Sequence, residues 1–247
     1  MDATTIDAIT GGWSIEQRVK GHRHSTDDLL TGWYAAETAP SATRLLDLGA
    51  GIGGVGLLAL WRAPAGATLV AIEAQEVSFA LLEANIARND LGARVRAIHS
   101  DLRSVRLDER FDLVTGSPPY WDVSEGVLPE DSQKAHARFE LRGTVVDYCA
   151  AARAHLAPGG RFVFCFPTVQ RARAEAAVAA ADLAVIRARD VIPKAGAAPL
   201  FSLFACRGAE EAGAAPVREA PHVVRDADGK PTTAHVAARG TFGLVKP

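Results

Sequence analysis

The residues best suited to chemistry in this chain form the short run Ser117-Pro118-Pro119-Tyr120, which follows an apolar, strand-like stretch at 111–116. Two prolines directly after a strand make a rigid turn that cannot continue the sheet, and they leave a carbonyl directed out of the turn. A small polar side chain, a fixed carbonyl and a ring suit the gripping of a flat amino-bearing base, a planar amide or an imidazole. Taken alone, the same loop is also consistent with a purely structural turn.

A glycine-rich segment lies about 70 residues earlier, where an apolar strand at 44–48 leads into Gly49-Ala50-Gly51 and then into a helical apolar pattern. Glycine lets the backbone approach a ligand closely, and the N-terminus of the following helix offers free N–H groups. The spacing also satisfies the dinucleotide fingerprint G-x-G-x-x-G, so the glycines alone do not separate NAD from S-adenosylmethionine. Asp47 favours S-adenosylmethionine, because a carboxylate at this position suits an ammonium group better than a pyrophosphate.

Two further carboxylates stand at the ends of predicted strands. Glu73 ends the strand at 68–73, where a carboxylate can accept hydrogen bonds from both ribose hydroxyls of either cofactor. Asp101 follows the strand at 95–99 and could accept from an adenine amino group. Each acid alone could equally be a helix cap or a solvated loop residue. Their position at successive strand ends favours a ligand site, since open α/β sheets bind ligands at that edge.

The elements that must position these residues alternate along the chain. Apolar periodicity and caps predict a first helix at 27–37, with Ser25 or Thr26 as its cap. The predicted elements that follow are strand 44–48, helix 53–62, strand 68–73, helix 76–88, strands 95–99 and 111–116, helix 143–156, strand 161–166, helix 168–181, and strands 183–191 and 200–206. This alternation predicts an α/β fold with a parallel sheet, helices on both faces and an antiparallel closing pair of strands.

The segments between and after these elements complete the predicted organisation. The loop at 117–140 is long for a compact domain and predicts a lid over the substrate. Residues 208–220 are rich in Ala, Glu and Gly and predict a connector, followed by a short hairpin that turns at 226–229. We predict a single domain over 1–247, with an N-terminal extension at 1–26, a core at 27–207 and a C-terminal strand–turn segment from 208 onward.

The combination of motifs resembles the class I S-adenosylmethionine-dependent methyltransferases, in the amino-methylating branch with an (Asn/Asp/Ser)-Pro-Pro-(Tyr/Phe) loop after the fourth strand. The segment Gln17–Leu30 and the tail Pro221–Thr232 further resemble bacterial enzymes that methylate adenine N6 in the anticodon loop of a valine tRNA. The resemblance implies a Rossmann-like sheet of seven strands with S-adenosylmethionine as cofactor and tRNA as substrate. It implies catalytic roles for Ser117, Pro118, Pro119 and Tyr120, and cofactor binding by Asp27, Asp47, Gly49, Gly51, Glu73 and Asp101.

Ser117 departs from that group, which usually carries Asn, and serine is commoner there among cytosine-N4 DNA methyltransferases. An exocyclic amine is a poor nucleophile because its lone pair is delocalised into the ring. The side chain at 117 and the Pro118 carbonyl would each accept a hydrogen bond from one N–H of this amine. These two hydrogen bonds favour a pyramidal nitrogen and stabilise the positive charge that develops on it during methyl transfer. Asn offers a fixed carbonyl and Ser a rotatable hydroxyl, so other acceptor amines stay open: a DNA base, a protein Gln or His, or a small molecule. A cofactor-binding module without activity is the third hypothesis.

Composition indicates a globular protein without a membrane segment. Apolar residues make up 48% of the 247 positions, and no apolar run approaches the roughly 18 residues of a membrane span. The N-terminus lacks a basic and apolar signal segment, and Cys149, Cys165 and Cys206 show no metal spacing. We therefore predict reduced core thiols, no metal, a cytoplasmic location and a monomer.

A nucleic-acid interface is only locally visible. The net charge is −2, whereas most RNA-binding enzymes carry a basic patch. Arg18, Lys20 and Arg23 lie within six residues and are the predicted RNA contacts, with a solvated loop as the alternative. Against RNA stands an acidic group in the long loop, made up of Glu125, Glu130 and Asp131.

Overall fold

The computed structural model describes residues 3–122, 128–211, 213 and 215–244, and it shows a large sheet covered by helices on both faces. The strands are β1 (Thr4–Ala8), β2 (Ser14–Arg18), β3 (Arg44–Leu48), β4 (Thr68–Glu73), β5 (Val95–His99), β6 (Phe111–Gly116), β7 (Leu156–Pro167), β8 (Leu183–Lys194), β9 (Phe201–Gly208), β10 (Val217–Arg218) and β11 (His222–Arg225). The α-helices are α1 (Thr26–Thr38), α2 (Gly54–Arg62), α3 (Glu76–Arg88), α4 (Ser132–Arg138), α5 (Val145–His155), α6 (Arg171–Ala180) and α7 (Thr233–Gly240).

Seven strands form the core of the sheet in the order β5-β4-β3-β6-β7-β9-β8. The strands from β5 to β7 are parallel to one another, while β9 runs antiparallel to both β7 and β8. This arrangement confirms the predicted Rossmann-like sheet and its antiparallel closing pair. In the described residues the sheet continues beyond β8, because β10 and β11 pair parallel with it.

Alternating side chains divide the apolar residues of the sheet between two cores. In β3, Leu45 packs on the face covered by α1, α2 and α3, whereas Leu46 packs on the face covered by α5 and α6. On the second face Phe162, Phe164 and Phe204 stack with ring centroids 4.9 Å apart. Strands buried on both faces read as continuous apolar runs, which is why the sequence predicts them well.

Three segments differ from the sequence prediction. Within the predicted N-terminal extension at 1–26, Thr4–Ala8 and Ser14–Arg18 form the antiparallel hairpin β1–β2, which is not predicted from the sequence. The loop predicted at 117–140 contains α4, because the Asp131 side chain accepts from the N–H of Lys134 and caps a helix. The C-terminal segment adds helix α7 after a turn in which Asp226 N–H donates to the Lys230 carbonyl. No helix among the described residues is long and apolar enough to cross a membrane.

Candidate functional site

The carboxyl ends of β3, β4 and β6 meet at one edge of the sheet and border a cavity of about 570 Å³. Its walls are the glycine turn after β3, the end of β4, the Ser117–Tyr120 loop after β6, the segment before α1, and α4. A cavity of this size accommodates a drug-sized ligand, and the strand ends of a parallel sheet are where such ligands bind. The fold therefore brings most of the predicted site residues together.

The glycine turn between β3 and α2 has a backbone that only glycine adopts easily. Gly49, Gly51 and Gly53 have φ of 62°, 58° and 98°. A Cβ on Gly49 would overlap sterically with the hydroxyl oxygen of Tyr148, whereas a Cβ on Gly51 would have no atom within 4 Å. The turn is thus closed by Tyr148 on one side and open at Gly51, next to the cavity.

Asp47 ends β3 beneath this turn and is only 2% exposed. One of its carboxylate oxygens accepts from the Gly56 N–H at 2.9 Å, and the other accepts from the Thr115 hydroxyl at 2.7 Å. Burial raises the pKa of Asp47 to about 7, although both hydrogen bonds act in the opposite direction. Asp47 therefore changes its charge near neutral pH at the base of the cavity.

Glu73 ends β4 and is 8% exposed at the cavity wall. Its carboxylate accepts from the Gly51 N–H at 2.7 Å and from the Gln75 N–H at 2.6 Å, which ties the glycine turn to the neighbouring strand. Burial raises the pKa of Glu73, and the N–H donors of Gln75 and Gly51 partly offset that effect. Since each carboxylate oxygen has a second lone pair, Glu73 can still accept hydrogen bonds from a ligand.

Asp101 is not brought into the cavity. Its carboxylate is held by the guanidinium of Arg103, with Nε 2.9 Å and Nη2 2.6 Å from its two oxygens, and it also accepts from the Arg103 N–H. The Arg103 hydrogen bonds lower the pKa of Asp101 despite an opposing effect of burial. Its neighbours Ser100 and Leu102 line the cavity, so residues adjacent to the predicted one occupy that position.

The Ser117–Tyr120 loop is held rigidly over the cavity. Ser117 and Tyr120 are half-buried, while Pro118 and Pro119 are buried. The N–H groups of Tyr120 and Trp121 both donate to the Arg138 carbonyl at the end of α4, at 3.1 and 3.0 Å. The ring of Tyr120 packs edge-on against Phe166, with centroids 6.0 Å apart. The four catalytic candidates thus sit in a fixed backbone whose side chains face the cavity.

Asp27 lies across the cavity at the first turn of α1 and receives a hydrogen bond from the Tyr120 hydroxyl at 3.1 Å. Ser25 also donates to Asp27, and the Ser25 N–H donates to the carboxylate of Asp28 at 3.0 Å. The segment Ser25–Asp28 is therefore a capping segment in which two carboxylates face the cavity. Asp27 connects the N-terminal part of the chain to the loop after β6.

The three predicted RNA contacts have different surroundings. Arg18 forms an ion pair with Asp131 at 2.7 Å, and Arg23 forms one with Asp7 at 3.0 Å. Lys20 is exposed and makes no ion pair with the residues that the structure describes. Asp131, one of the acids counted against RNA, is thus neutralised by Arg18, and Glu125 lies outside the described residues.

The cavity residues that were not predicted from the sequence include Tyr148, Arg142, Lys134 and Arg138. Tyr148 is placed by a capping box at the start of α5, in which Asp147 accepts from Thr144 at the helix N-terminus. Arg142 donates to the Ala74 carbonyl at the cavity wall. Lys134 and Arg138 lie one turn apart on α4 and both face the cavity. The spacing i, i+4 after a capping aspartate was the available signal for the last pair.

Comparisons with known proteins agree with this geometry. The profile of the family described as methyltransferase small domain matches residues 29–180. A protein of Bacteroides thetaiotaomicron named tRNA1(Val) (adenine(37)-N6)-methyltransferase is 28% identical over 174 residues, which are 70% of this chain and 72% of that protein. A protein of a Flavobacteriaceae bacterium with the same name is 29% identical over 156 residues, 63% of this chain and 64% of its own.

A similar fold occurs among solved structures. The crystal structure of a protein from Agrobacterium tumefaciens described as a predicted O-methyltransferase superposes with a TM-score of 0.68 and 18% identity. The superposition covers 89% of this chain and 98% of that one. At this identity the likeness concerns the fold, and it extends over nearly the whole chain.

Proposed function

The chain belongs to the methyltransferase small domain family, and we propose that it uses S-adenosylmethionine to methylate the N6 amine of an adenine in tRNA. The observation that carries the proposal is the meeting, in one cavity, of the glycine turn, Glu73 and the Ser117–Tyr120 loop. The first two provide a cofactor site and the third an acceptor site. We further propose that residues 1–247 act as one domain, because the segment that follows β2, helix α1 and helix α4 all contribute to this cavity.

The chemistry of the cavity wall fits S-adenosylmethionine better than a dinucleotide. Four carboxylates line the cavity, on Asp27, Asp28, Asp47 and Glu73. A cofactor with a sulfonium and an ammonium group is attracted by such a wall, whereas a pyrophosphate is repelled. In our proposal Glu73 holds the ribose hydroxyls, Asp27 and Asp47 attract the cationic groups, and the backbone at Gly49 and Gly51 lies against the cofactor.

The acceptor half of the proposal assigns roles to the loop after β6. When bound, the cofactor supplies a methyl group on a positively charged sulfur. The Ser117 hydroxyl and the Pro118 carbonyl accept the N–H groups of the target amine, which frees its lone pair from the ring and stabilises the charge that develops on nitrogen. Tyr120 stacks on the base, a contact worth about 1–3 kcal/mol. Because the loop backbone is already hydrogen-bonded to α4, little ordering remains when the base arrives.

Adenine in tRNA is supported by the names of the two relatives described above and by the charge of the cavity rim. Lys134, Arg138 and Arg142 line the mouth of the cavity; Arg138 and Arg142 are exposed, whereas the carboxylates of Asp47 and Glu73 are buried inside. Lys134 and Arg138 make no ion pair with other described residues, so their charges remain available to phosphates. A base that enters this cavity from a single-stranded loop would place its flanking phosphates beside these side chains.

The rim assignment predicts a change in salt dependence. Each phosphate contact contributes about 0.7–0.9 to the slope of log affinity against log salt. Replacing both Lys134 and Arg138 by Ala should therefore lower that slope by about 1.4–1.8 for an anticodon stem-loop RNA, measured by fluorescence anisotropy. The matched control is Arg62→Ala, an exposed cation at the opposite end of α2 from the cavity, which should leave the slope unchanged. If the double variant and the control have equal slopes, Lys134 and Arg138 do not contact the RNA phosphates and this assignment is wrong.

The decisive experiment for the function is methyl transfer from isotope-labelled S-adenosylmethionine into separate tRNA, DNA, protein and small-molecule fractions. Digestion and mass spectrometry then identify the methylated group. We expect N6-methyladenosine in tRNA, and none with Tyr120→Ala. If the label appears in cytosine, in DNA, in protein or in a small molecule, the protein is a methyltransferase but its methyl acceptor is not adenine in tRNA. If no fraction is labelled, the proposed methyltransferase activity is contradicted.

A further inference from the structure

A buried thiol lies directly behind the acceptor loop. Cys165 on β7 is fully buried and is not among the described residues that line the cavity. Its sulfur is 3.4 Å from the Ser117 hydroxyl oxygen and 3.4 Å from the Tyr120 hydroxyl oxygen. The Tyr120 hydroxyl in turn lies 3.1 Å from a carboxylate oxygen of Asp27. Four polar groups thus form a continuous chain from α1 to the predicted acceptor of the target amine.

The direction of each hydrogen bond in this chain follows from the number of protons available. The carboxylate of Asp27 only accepts, so the single proton of the Tyr120 hydroxyl is donated to it. The contact between Tyr120 and Cys165 is then a hydrogen bond only if the thiol donates. With its one proton used, the Cys165 sulfur can only accept, from the Ser117 hydroxyl and from the neighbouring hydroxyl of Thr31. Burial raises the pKa of Tyr120, and it raises that of Cys165 to about 12 although both of these hydroxyls act to lower it, so both groups keep their protons at neutral pH.

We propose that Cys165 is a positioning residue that fixes the Ser117 hydroxyl with its proton on sulfur and its lone pairs toward the acceptor amine. The proposal rests on the proposed function, because it assigns the orientation of the group that accepts the amine N–H. A serine hydroxyl rotates freely and can present either a proton or a lone pair. An amine needs the lone pair. The buried thiol therefore gives Ser117 the fixed acceptor character that the carbonyl of an asparagine has by construction.

The proton order can be tested without any activity, by infrared spectroscopy of the S–H stretch. The Cys165 band is identified as the one lost in Cys165→Ala. In our assignment Tyr120→Phe removes the acceptor of the thiol and shifts this band to the frequency of a thiol without an acceptor, whereas Ser117→Ala leaves the thiol donating to Tyr120. A shift in Ser117→Ala with none in Tyr120→Phe, or a shift in neither, would overturn the assignment.

The positioning role is tested by methyl-transfer kinetics in two backgrounds. A single intramolecular hydrogen bond contributes about 0.5–1.5 kcal/mol, so Cys165→Ala should lower kcat about two- to thirteenfold in the wild-type background. In the Ser117→Asn background the same change should have less than a twofold effect, since the amide carbonyl needs no partner to present lone pairs. Cys165→Ser, which retains a donor and an acceptor, should restore most of the lost rate.

Matched controls separate positioning from packing. Cys206→Ala removes another fully buried thiol, on β9, and should leave kcat unchanged even if the protein becomes less stable. The dissociation constant for S-adenosylmethionine, measured by calorimetry, should be the same in all the cysteine variants. An equal loss of kcat from Cys165→Ala in both backgrounds, or a similar loss from Cys206→Ala, would make the effect structural and refute the proposal. If the wild-type protein methylates no amine, the function fails, and the infrared experiment still decides the proton order.

Discussion

The pH dependence of cofactor binding should report the charge of Asp47. Its pKa of about 7 means that about three quarters of the carboxyl groups are ionised at pH 7.5 and about a tenth at pH 6. If the ionised form attracts the cationic groups of S-adenosylmethionine, the affinity should fall about eightfold over this interval. Calorimetry in two buffers of different ionisation enthalpy should also count the release of about half a proton per cofactor bound at pH 7.

The matched variant is Asp47→Asn, which can keep both structural hydrogen bonds. Its amide oxygen can accept from the Gly56 N–H, and its NH₂ can donate to the Thr115 hydroxyl, which lies 3.4 Å from the Leu46 carbonyl as an alternative acceptor. We expect weaker binding at pH 7.5 and an almost flat profile. Glu73 lines the same cavity and its pKa is also raised by burial, so any slope that remains in the variant is assigned to Glu73. A flat wild-type profile, or an unchanged slope in the variant, would refute the role of Asp47.

The same pKa makes a prediction about stability with a definite sign. Between about pH 4 and pH 7 the folded state holds a proton on Asp47 that the unfolded state has lost, so the free energy of unfolding should fall as the pH rises. Summed over this pH interval, the loss in the free energy of unfolding is about 4 kcal/mol at most. Asp47→Asn removes this loss, so its stability relative to the wild type should rise by about 2–3 kcal/mol between pH 5 and pH 8. Urea unfolding at both pH values measures the difference, and a difference that is the same at both would contradict the prediction.

Three other predictions test separate parts of the structure. Tyr120→Ala should abolish methyl transfer while leaving calorimetric cofactor affinity within about twofold; loss of both would mean that the ring shapes the cofactor site as well. Gly49→Ala should weaken cofactor binding and lower the melting temperature, less so with Tyr148→Phe, whose missing hydroxyl removes the collision with the new Cβ; additive effects would contradict this contact. Burial lowers the pKa of His222, which lies 3.2 Å from His235, to about 4, so stability should decline as the pH falls from 6.5 toward 4. Hydrogen exchange at β11 and α7 should increase over that range, and unchanged protection would refute it.

The parts of the fold that the sequence predicts are those fixed by local pattern. The run 44–48, the glycines that follow it and the apolar helix after them lie within one continuous segment, so the strand, the turn and the helix are all readable. Helix α4 was not predicted because seven residues are too few to show a clear apolar periodicity, although the capping Asp131 was a local signal. The carboxylate of Asp101 is held by Arg103 only two residues away, a local contact that the strand-end argument did not consider.

Other features of the site could not be predicted because they join distant parts of the chain. The hydrogen bond from Tyr120 to Asp27 spans 93 residues, and the contact between Ser117 and Cys165 spans 48. Neither partner carries a motif that points to the other. The role of Ser117 illustrates the consequence: its type alone leaves the orientation of the hydroxyl open, whereas its three-dimensional neighbours restrict it.

The net charge of −2 does not by itself argue against RNA, because the distribution of the charges also matters. Charges act on a phosphate only within about one Debye length, roughly 8 Å at physiological ionic strength, so their distribution matters more than their sum. Many arginines of the chain are neutralised locally, as in the pairs Arg44–Asp112 and Arg153–Glu210 far from the cavity. Four carboxylates are turned into the cavity, where a cationic cofactor would compensate them. Lys134 and Arg138 of α4, which make no ion pair with other described residues, stand outside this acidic interior, so a protein that is acidic overall can still present a basic rim to a nucleic acid.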